Sequence, residues 1–140
     1  MTRAGSQPRR GGNGEPACNK IVVVVDDEPG ICETLAEVFQ DEGYLVHCAP
    51  DGARALELFR SLDHPPCVVL LDLIMPIMDG NAVYDAMQAD PALRDIAVVI
   101  TTSDPSSAPP GVSIMKKPVS LKLLIEMVHK CCRDAAHGRE

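Results

Sequence analysis

Several acidic residues stand directly after apolar runs of the chain, where a strand would end. Asp26 and Asp27 follow the run 21–25, and Asp72 follows the run 67–71. Later runs end beside hydroxyl and ammonium groups: Thr102, Ser103, Lys116 and Lys117. Carboxylates that converge at one edge repel each other unless a cation compensates their charge. Because Mg²⁺ favours carboxylates together with water and phosphate oxygens, these residue types indicate phosphoryl transfer to a carboxylate.

These groups meet only if strands and helices alternate along the chain. Apolar runs, mostly rich in β-branched residues, predict strands at residues 21–25, 44–48, 67–71, 96–101 and 112–115. Helical spacing of apolar residues predicts helices from Pro29 to Gly43, from Asp51 to 64–66, near 81–88 and from 120 to 133. Short connections between these elements imply a parallel sheet with helices on both faces. Ligands of such sheets gather at the carboxyl ends of the strands.

Composition excludes several classes of function. The chain has 140 residues and 46% apolar content, which suits one α/β domain with one core. Twenty acidic against 13 basic residues give a net charge of −7, which argues against a nucleic-acid-binding surface. The longest uninterrupted apolar runs have five residues, whereas a membrane helix needs roughly 20. We therefore expect no nucleic-acid partner and no membrane span.

The ends and the cysteines suggest a small cytoplasmic protein. Glycine and proline in residues 1–18 predict a flexible leader, residues 19–133 form the predicted domain, and 134–140 form a short tail. No output domain is therefore expected within the chain, which is either a single-domain regulator or a piece of something longer. The six cysteines come without a secretory signal or a Cys-x-x-Cys pair. We expect reduced thiols in a cytoplasmic protein.

Four segments in order make the sequence similar to a known family. They are IVVVVDDEP (21–29), LLDLIMPIMDG (70–80), TT (101–102) and KP (117–118). Together they resemble the receiver domain of two-component response regulators, over about residues 20–133. The resemblance implies a flavodoxin-like, doubly wound α/β fold with a five-stranded parallel sheet in the order 2-1-3-4-5. It also implies a signalling module that switches the binding of an output protein, here unidentified.

The resemblance assigns roles to the acidic residues. Asp72 would accept the phosphoryl group from the phosphohistidine of a histidine kinase or histidine phosphotransfer protein. Asp27, Asp72 and the backbone carbonyl of Ile74 would hold Mg²⁺ directly. Asp26 would act largely through a metal-bound water.

The resemblance also selects between neighbouring candidates. Thr102 stands 30 residues after Asp72, as in the family, and would bond a phosphoryl oxygen. Lys117 would contact another phosphoryl oxygen, and Pro118 would follow it through a cis bond. Thr101 would then point into the sheet and Lys116 into solvent.

Two departures from the family concern the segment before the last strand. Residues 103–111 contain Pro105, Pro109 and Pro110, so the helix that receivers place there is expected to be missing or reduced to one turn. Ile114 occupies the position where the family usually has an aromatic residue that moves with the threonine. We expect an altered partner-binding surface, with switching through ordering of this loop.

Other functions stay open at this point. A non-phosphorylated receiver-fold interaction module would keep the fold without the chemistry. A haloacid-dehalogenase-like hydrolase requires a second acid two residues after the nucleophile, where this chain has Ile74. A flavin-binding protein is disfavoured because residues 26–28 would repel its phosphate. We therefore expect no enzyme beyond autocatalytic phosphoryl acceptance and self-dephosphorylation.

Overall fold

The sheet has the predicted topology. The computed structural model describes residues 19–137, so the predicted leader and the last three residues of the tail lie outside the described range. Five parallel strands lie in the order β2-β1-β3-β4-β5. Their bounds are β1 Ile21–Val25, β2 Leu45–Ala49, β3 Val68–Asp72, β4 Ala97–Thr102 and β5 Ser113–Lys116. The flavodoxin-like α/β order is confirmed, and β2 to β5 each begin and end one residue later than predicted.

Four α-helices connect and cover the strands in the described part of the chain. Their bounds are α1 Pro29–Asp41, α2 Gly52–Ser61, α3 Gly80–Ala89 and α4 Leu121–His137. Asp51 caps α2 as predicted, since its carboxylate accepts the Arg54 N–H at 2.8 Å. Asp79 caps α3 in the same way, accepting the Ala82 N–H at 2.9 Å. Helix α4 continues four residues beyond its predicted end at Arg133.

The segment between β4 and β5 lacks the α-helix of the family, as predicted. It contains only a short 3-10 turn, Pro105–Ser107. Proline cannot donate a backbone hydrogen bond and clashes with the preceding turn, which explains why a longer helix does not form. Ile114 lies opposite Ile100 on the neighbouring strand and keeps 37% of its surface exposed. The sheet face beside β5 is therefore less covered than the rest of the core.

The hydrophobic core lies on both faces of the sheet. Alternate residues of β1 and β3 point to opposite faces, so Val23 and Val69 pack towards α2 and α3. Val24 and Leu70 pack towards α1 and α4. Because β1 and β3 are buried on both faces, their carboxyl ends are held rigidly, and the residues that follow them are fixed in position.

The cysteines differ from the sequence-based expectation. Cys32 in α1 and Cys48 in β2 form a disulfide, with their Cα atoms 6.2 Å apart, and Cys67 is disulfide-bonded as well. The prediction that these thiols are reduced is wrong, because helix α1 packs over β2 and brings Cys32 and Cys48 into bonding range. Among the described helices, none is long and apolar enough to cross a bilayer.

Candidate functional site

Three carboxylates meet at the carboxyl ends of β1 and β3. Val25 pairs with Leu71 in the sheet register, so the residues that follow lie side by side. Asp26, Asp27 and Asp72 each place an oxygen within 4.8 Å of the others. Asp26 and Asp72 are buried, whereas Asp27 is exposed. The structure thus brings together the three acids that the strand-end pattern predicts, in an arrangement able to hold a cation.

Lys117 reaches this cluster from the end of β5. Its Nζ lies 3.1 Å from Oδ2 of Asp26 and 3.4 Å from Oδ2 of Asp72. The Lys117 N–H donates to the Thr102 carbonyl at 2.8 Å, which ties the base of the side chain to the end of β4. One ammonium group therefore bridges two buried carboxylates, and no single element of the chain could form this site alone.

Backbone donors orient the two buried carboxylates. Oδ1 of Asp26 accepts the Glu28 N–H at 3.0 Å, and the Asp26 N–H donates to the Ala49 carbonyl at 3.1 Å. Oδ1 of Asp72 accepts the Ile74 N–H at 3.3 Å. Each carboxylate therefore uses one oxygen for the backbone and points the other towards Lys117. The Ile74 N–H thus contacts Asp72. Metal binding by the Ile74 carbonyl stays a prediction.

The electrostatics of the site oppose ionisation of the central acid. Burial, followed by repulsion from Asp26, raises the pKa of Asp72, although Lys117 and the Ile74 N–H act in the opposite direction. Burial by itself lowers the pKa of Lys117, but its hydrogen bond and charge interaction with Asp26, and then with Asp72, outweigh that and raise it. Lys117 is thus held charged, and one ammonium does not fully compensate the neighbouring acids.

Thr102 and Lys117 lie at the ends of the neighbouring strands β4 and β5. Thr102 is 1% exposed, and its Oγ1 accepts the Asp104 N–H at 3.0 Å. Thr101 is buried as well, and Lys116 is exposed, as expected. Because both threonines are buried, the choice of Thr102 stays a prediction. The peptide bond from Lys117 to Pro118 is cis, which confirms the geometry that the resemblance implied.

The loop after β4 has a hydrogen-bond network that sequence reasoning missed. The Asp104 carboxylate accepts from the hydroxyls of Ser106 at 2.6 Å and Ser107 at 2.9 Å. The Asn81 side-chain amide of α3 donates to the Ser107 carbonyl at 3.0 Å. An Asp-Pro-Ser-Ser segment is a turn signal that could have predicted the first two bonds. The bond from Asn81 has no sequence signal, because it joins residues 26 positions apart.

The loop between β3 and α3 approaches the site very closely. A Cβ atom at Gly80 would collide with the backbone carbonyl of Asp72, and the Gly80 N–H donates to the Leu73 carbonyl at 2.9 Å. Ile77 has a φ of 72°, a left-handed conformation that is rare for a β-branched residue, and its side chain is largely exposed. Strain of this kind persists where the surrounding structure fixes it, and here it lies in the loop that follows Asp72.

Comparisons with known proteins identify the family of this chain. The family model described as response regulator receiver domain matches residues 22–129. The chain is 29% identical over 120 residues to Protein Rrf1 of Nitratidesulfovibrio vulgaris, covering 84% of this chain and 86% of that protein. It is 36% identical over 85 residues to sporulation initiation phosphotransferase F of Bacillus subtilis, covering 61% of this chain and 65% of that protein.

A solved structure supports the same assignment. The signal receiver domain of a signal transduction histidine kinase from Syntrophus aciditrophicus has a TM-score of 0.77 and 26% identity, covering 84% of this chain and 93% of that one. The family match spans most of the chain, including the residues that carry the three clustered acids. The chain therefore belongs to the receiver domain family of response regulators, the signalling modules of two-component signal transduction.

Proposed function

We propose that Asp72 accepts a phosphoryl group from the phosphohistidine of a histidine kinase or histidine phosphotransfer protein. The observation that carries this proposal is the ammonium group of Lys117, 3.1 Å from Asp26 and 3.4 Å from Asp72. A cation held between a buried nucleophile and a second acid is placed to neutralise incoming phosphoryl oxygens. We assign this role to the domain of residues 19–133.

The acidic cluster suits Mg²⁺, which prefers carboxylate oxygens and keeps several waters. We propose that Asp27, Asp72 and the Ile74 carbonyl hold the ion directly and that Asp26 holds it through a water. The observation behind this is that three carboxylates lie within 4.8 Å while one lysine contacts only two of them. When bound, Mg²⁺ would supply positive charge for the carboxylates and the phosphoryl oxygens.

The transfer step follows from the orientation of the side chains. An oxygen of Asp72 attacks phosphorus and forms a P–O bond, while the P–N bond of the phosphohistidine breaks. The electron pair of that bond stays on the imidazole nitrogen, which takes up a proton. Lys117 and the hydroxyl of Thr102 hold the phosphoryl oxygens during this step. Later attack by water would return the carboxylate, so the only catalysis we propose is acceptance and self-dephosphorylation.

Phosphorylation would change the loop of residues 103–111. The Thr102 hydroxyl accepts the Asp104 N–H in the unphosphorylated protein. A phosphoryl oxygen that draws this hydroxyl towards Asp72 would weaken that bond and alter the turn that follows. We propose that the altered loop switches binding of an output protein in the cytoplasm. Amide exchange of residues 103–111 should differ with and without an acyl-phosphate mimic, and identical exchange would contradict the loop mechanism.

A mass measurement tests the proposed acceptor. The protein is incubated with Mg²⁺ and a small phosphodonor, and its intact mass is recorded. We expect an adduct of one phosphoryl group in the native chain and in the control Asp63→Asn, whose carboxylate is exposed in a loop. Asp72→Asn should give no adduct. A native chain without an adduct would favour the non-phosphorylated interaction module instead.

A further inference from the structure

The disulfide between Cys32 and Cys48 lies beside the acidic pocket. Cys32 belongs to the first turn of α1, and Cys48 directly precedes Ala49 in β2. The bond therefore joins the two elements that flank the corner between β1 and α1. That corner carries Asp26 and Asp27, two of the three clustered acids.

Both ends of the disulfide are connected to Asp26 by hydrogen bonds: two in series on the Cys32 side, and one on the side of Cys48 and its neighbour Ala49. The Cys32 N–H donates to the Glu28 carbonyl at 3.4 Å, and the Glu28 N–H donates to the Asp26 carboxylate at 3.0 Å. On the other side, the carbonyl of Ala49 accepts the Asp26 N–H at 3.1 Å. The covalent bond thus closes a ring of contacts around Asp26.

Few other interactions fix the start of α1. No side chain caps the helix, and residues 27–30 are all exposed. The buried residues of the helix, Leu35 and Phe39, lie beyond its first turn. Repulsion among the three acids acts to move Asp27 away from the pocket. The disulfide therefore adds a covalent link between this first turn and β2, beside the packing of Ile31 against the core.

The bond is also accessible to reagents. The Cys48 side chain is exposed and that of Cys32 is half-buried, so a thiolate from solvent can reach a sulfur atom. Exposed disulfides are more often labile or regulatory than buried structural ones. Accessibility and placement together distinguish this bond from a purely structural one.

We propose that Cys32–Cys48 is a reversible redox site that sets the divalent-cation affinity of the acidic pocket. The co-reactant is a dithiol, such as a dithiol oxidoreductase. Its two thiols reduce the protein disulfide by exchange: two electrons and two protons pass to Cys32 and Cys48, and the dithiol becomes a disulfide. Reduction frees the first turn of α1 and loosens the arrangement of Asp26 and Asp27. This inference rests on the proposed function only in naming the cation as Mg²⁺.

The first measurement needs no metal. Amide hydrogen exchange of residues 26–33 is compared between the oxidised full chain and the same protein treated with dithiothreitol. We expect faster exchange in this segment after reduction, and an unchanged rate in the α3 segment 80–89. Re-oxidation should restore the slow exchange. Equal exchange of residues 26–33 in the two forms would overturn the proposal.

The second measurement is the Mg²⁺ dissociation constant by calorimetry in both redox states. We expect reduction to weaken binding about tenfold, the size of effect seen when groups that orient metal ligands are lost. Equal affinities in the two states overturn the redox proposal and leave the proposed function intact. Absence of Mg²⁺ binding in both states contradicts the proposed function. In that case the amide exchange of the metal-free protein still tests whether reduction of the disulfide frees the first turn of α1.

Two variants separate this disulfide from other thiol chemistry. Cys32→Ser with Cys48→Ser should give the exchange and affinity of the reduced protein in either buffer, with a folded circular dichroism spectrum. In oxidising buffer this double variant keeps the bond at Cys67, so any change there comes from the loss of Cys32–Cys48 alone. Cys132→Ser, buried in α4 among the core residues, should keep the full redox response. A response that survives in the double variant would overturn the proposal.

Discussion

The two ends of the sheet compensate their buried polar groups in opposite ways. At the amino end, the Tyr44 hydroxyl lies 2.6 Å from Nδ1 of His129, and Nε2 of His129 lies 3.2 Å from Oε1 of Glu42. At the carboxyl end, Asp26 and Asp72 share one ammonium, and a third acid lies beside them. One end completes its hydrogen bonds internally, whereas the other retains excess negative charge.

Burial keeps the tyrosine at the amino end protonated. Burial, followed by the interaction with Cys132, raises the pKa of Tyr44, so its hydroxyl keeps its proton at neutral pH. The ring of His129 lies between the Tyr44 hydroxyl and the Glu42 carboxylate, within hydrogen-bond distance of both. The Lys20 ammonium also lies 5.1 Å from the centre of the tyrosine ring. A network completed in this way contributes to stability.

This difference indicates which end of the sheet gains stability when it binds a ligand. Polar groups whose hydrogen bonds are complete inside the protein gain little stability from a ligand. Carboxylates that repel each other gain stability from any cation or other group that neutralises them. The carboxyl end should therefore tolerate neutralisation and even be stabilised by it. The amino end should lose stability whenever a partner is removed.

The largest effect should come from truncating the centre of the amino end. Tyr44→Ala removes a buried ring packed edge-on against Phe39, with ring centres 5.8 Å apart. We expect it to lower the free energy of unfolding by about 3–5 kcal/mol. Tyr44→Phe removes only the hydroxyl and should lower it by about 1 kcal/mol. Denaturant titration measures both changes in the free energy of unfolding. A change of Mg²⁺ affinity in the Tyr44→Phe variant would show that the amino end of the sheet affects the acidic cluster at the carboxyl end.

A smaller loss is expected from crowding the backbone of the carboxyl end. Gly80→Ala places a methyl group against the Asp72 carbonyl and should lower the free energy of unfolding by about 1–3 kcal/mol. It should also slow phosphoryl acceptance, because the clash moves the backbone that carries the nucleophile. Gly30→Ala is the matched control, since a Cβ atom at that position would have no neighbouring atom within 4 Å. Equal effects of the two substitutions would contradict a steric role for Gly80.

The sequence predicts one end of the sheet far better than the other. Apolar runs locate the strands, and the residues after them are placed by topology alone, which is why Asp26, Asp72 and Lys117 could be found without coordinates. Tyr44 and His129 are 85 residues apart and have no local signature. The disulfide of Cys32 was missed for the same reason, because packing of helix against strand decides which cysteines meet.

Neutralising the nucleophile should stabilise the metal-free protein. The pKa of Asp72 is raised in the fold, so the stability linked to this group is present below its unfolded pKa of 3.8 and is lost as pH rises through the folded value. Asp72→Asn should therefore be more stable than the native chain at neutral pH, by about 0.5–2 kcal/mol. The difference should vanish in acid and narrow when Mg²⁺ is added. A variant less stable than the native chain at neutral pH would contradict the repulsion argument.

The smallest effect should come from the outer ion pair of the amino end. Glu42 and His129 have side chains that are 41% and 33% exposed, so water screens their attraction. Glu42→Gln keeps an oxygen that accepts the Nε2–H of His129 and should change the free energy of unfolding by about 0–0.5 kcal/mol. Denaturant titrations at low and high salt measure this change. A loss as large as that of Tyr44→Ala would show that Glu42 carries charge that the amino end needs, and the contrast between the two ends would then fail.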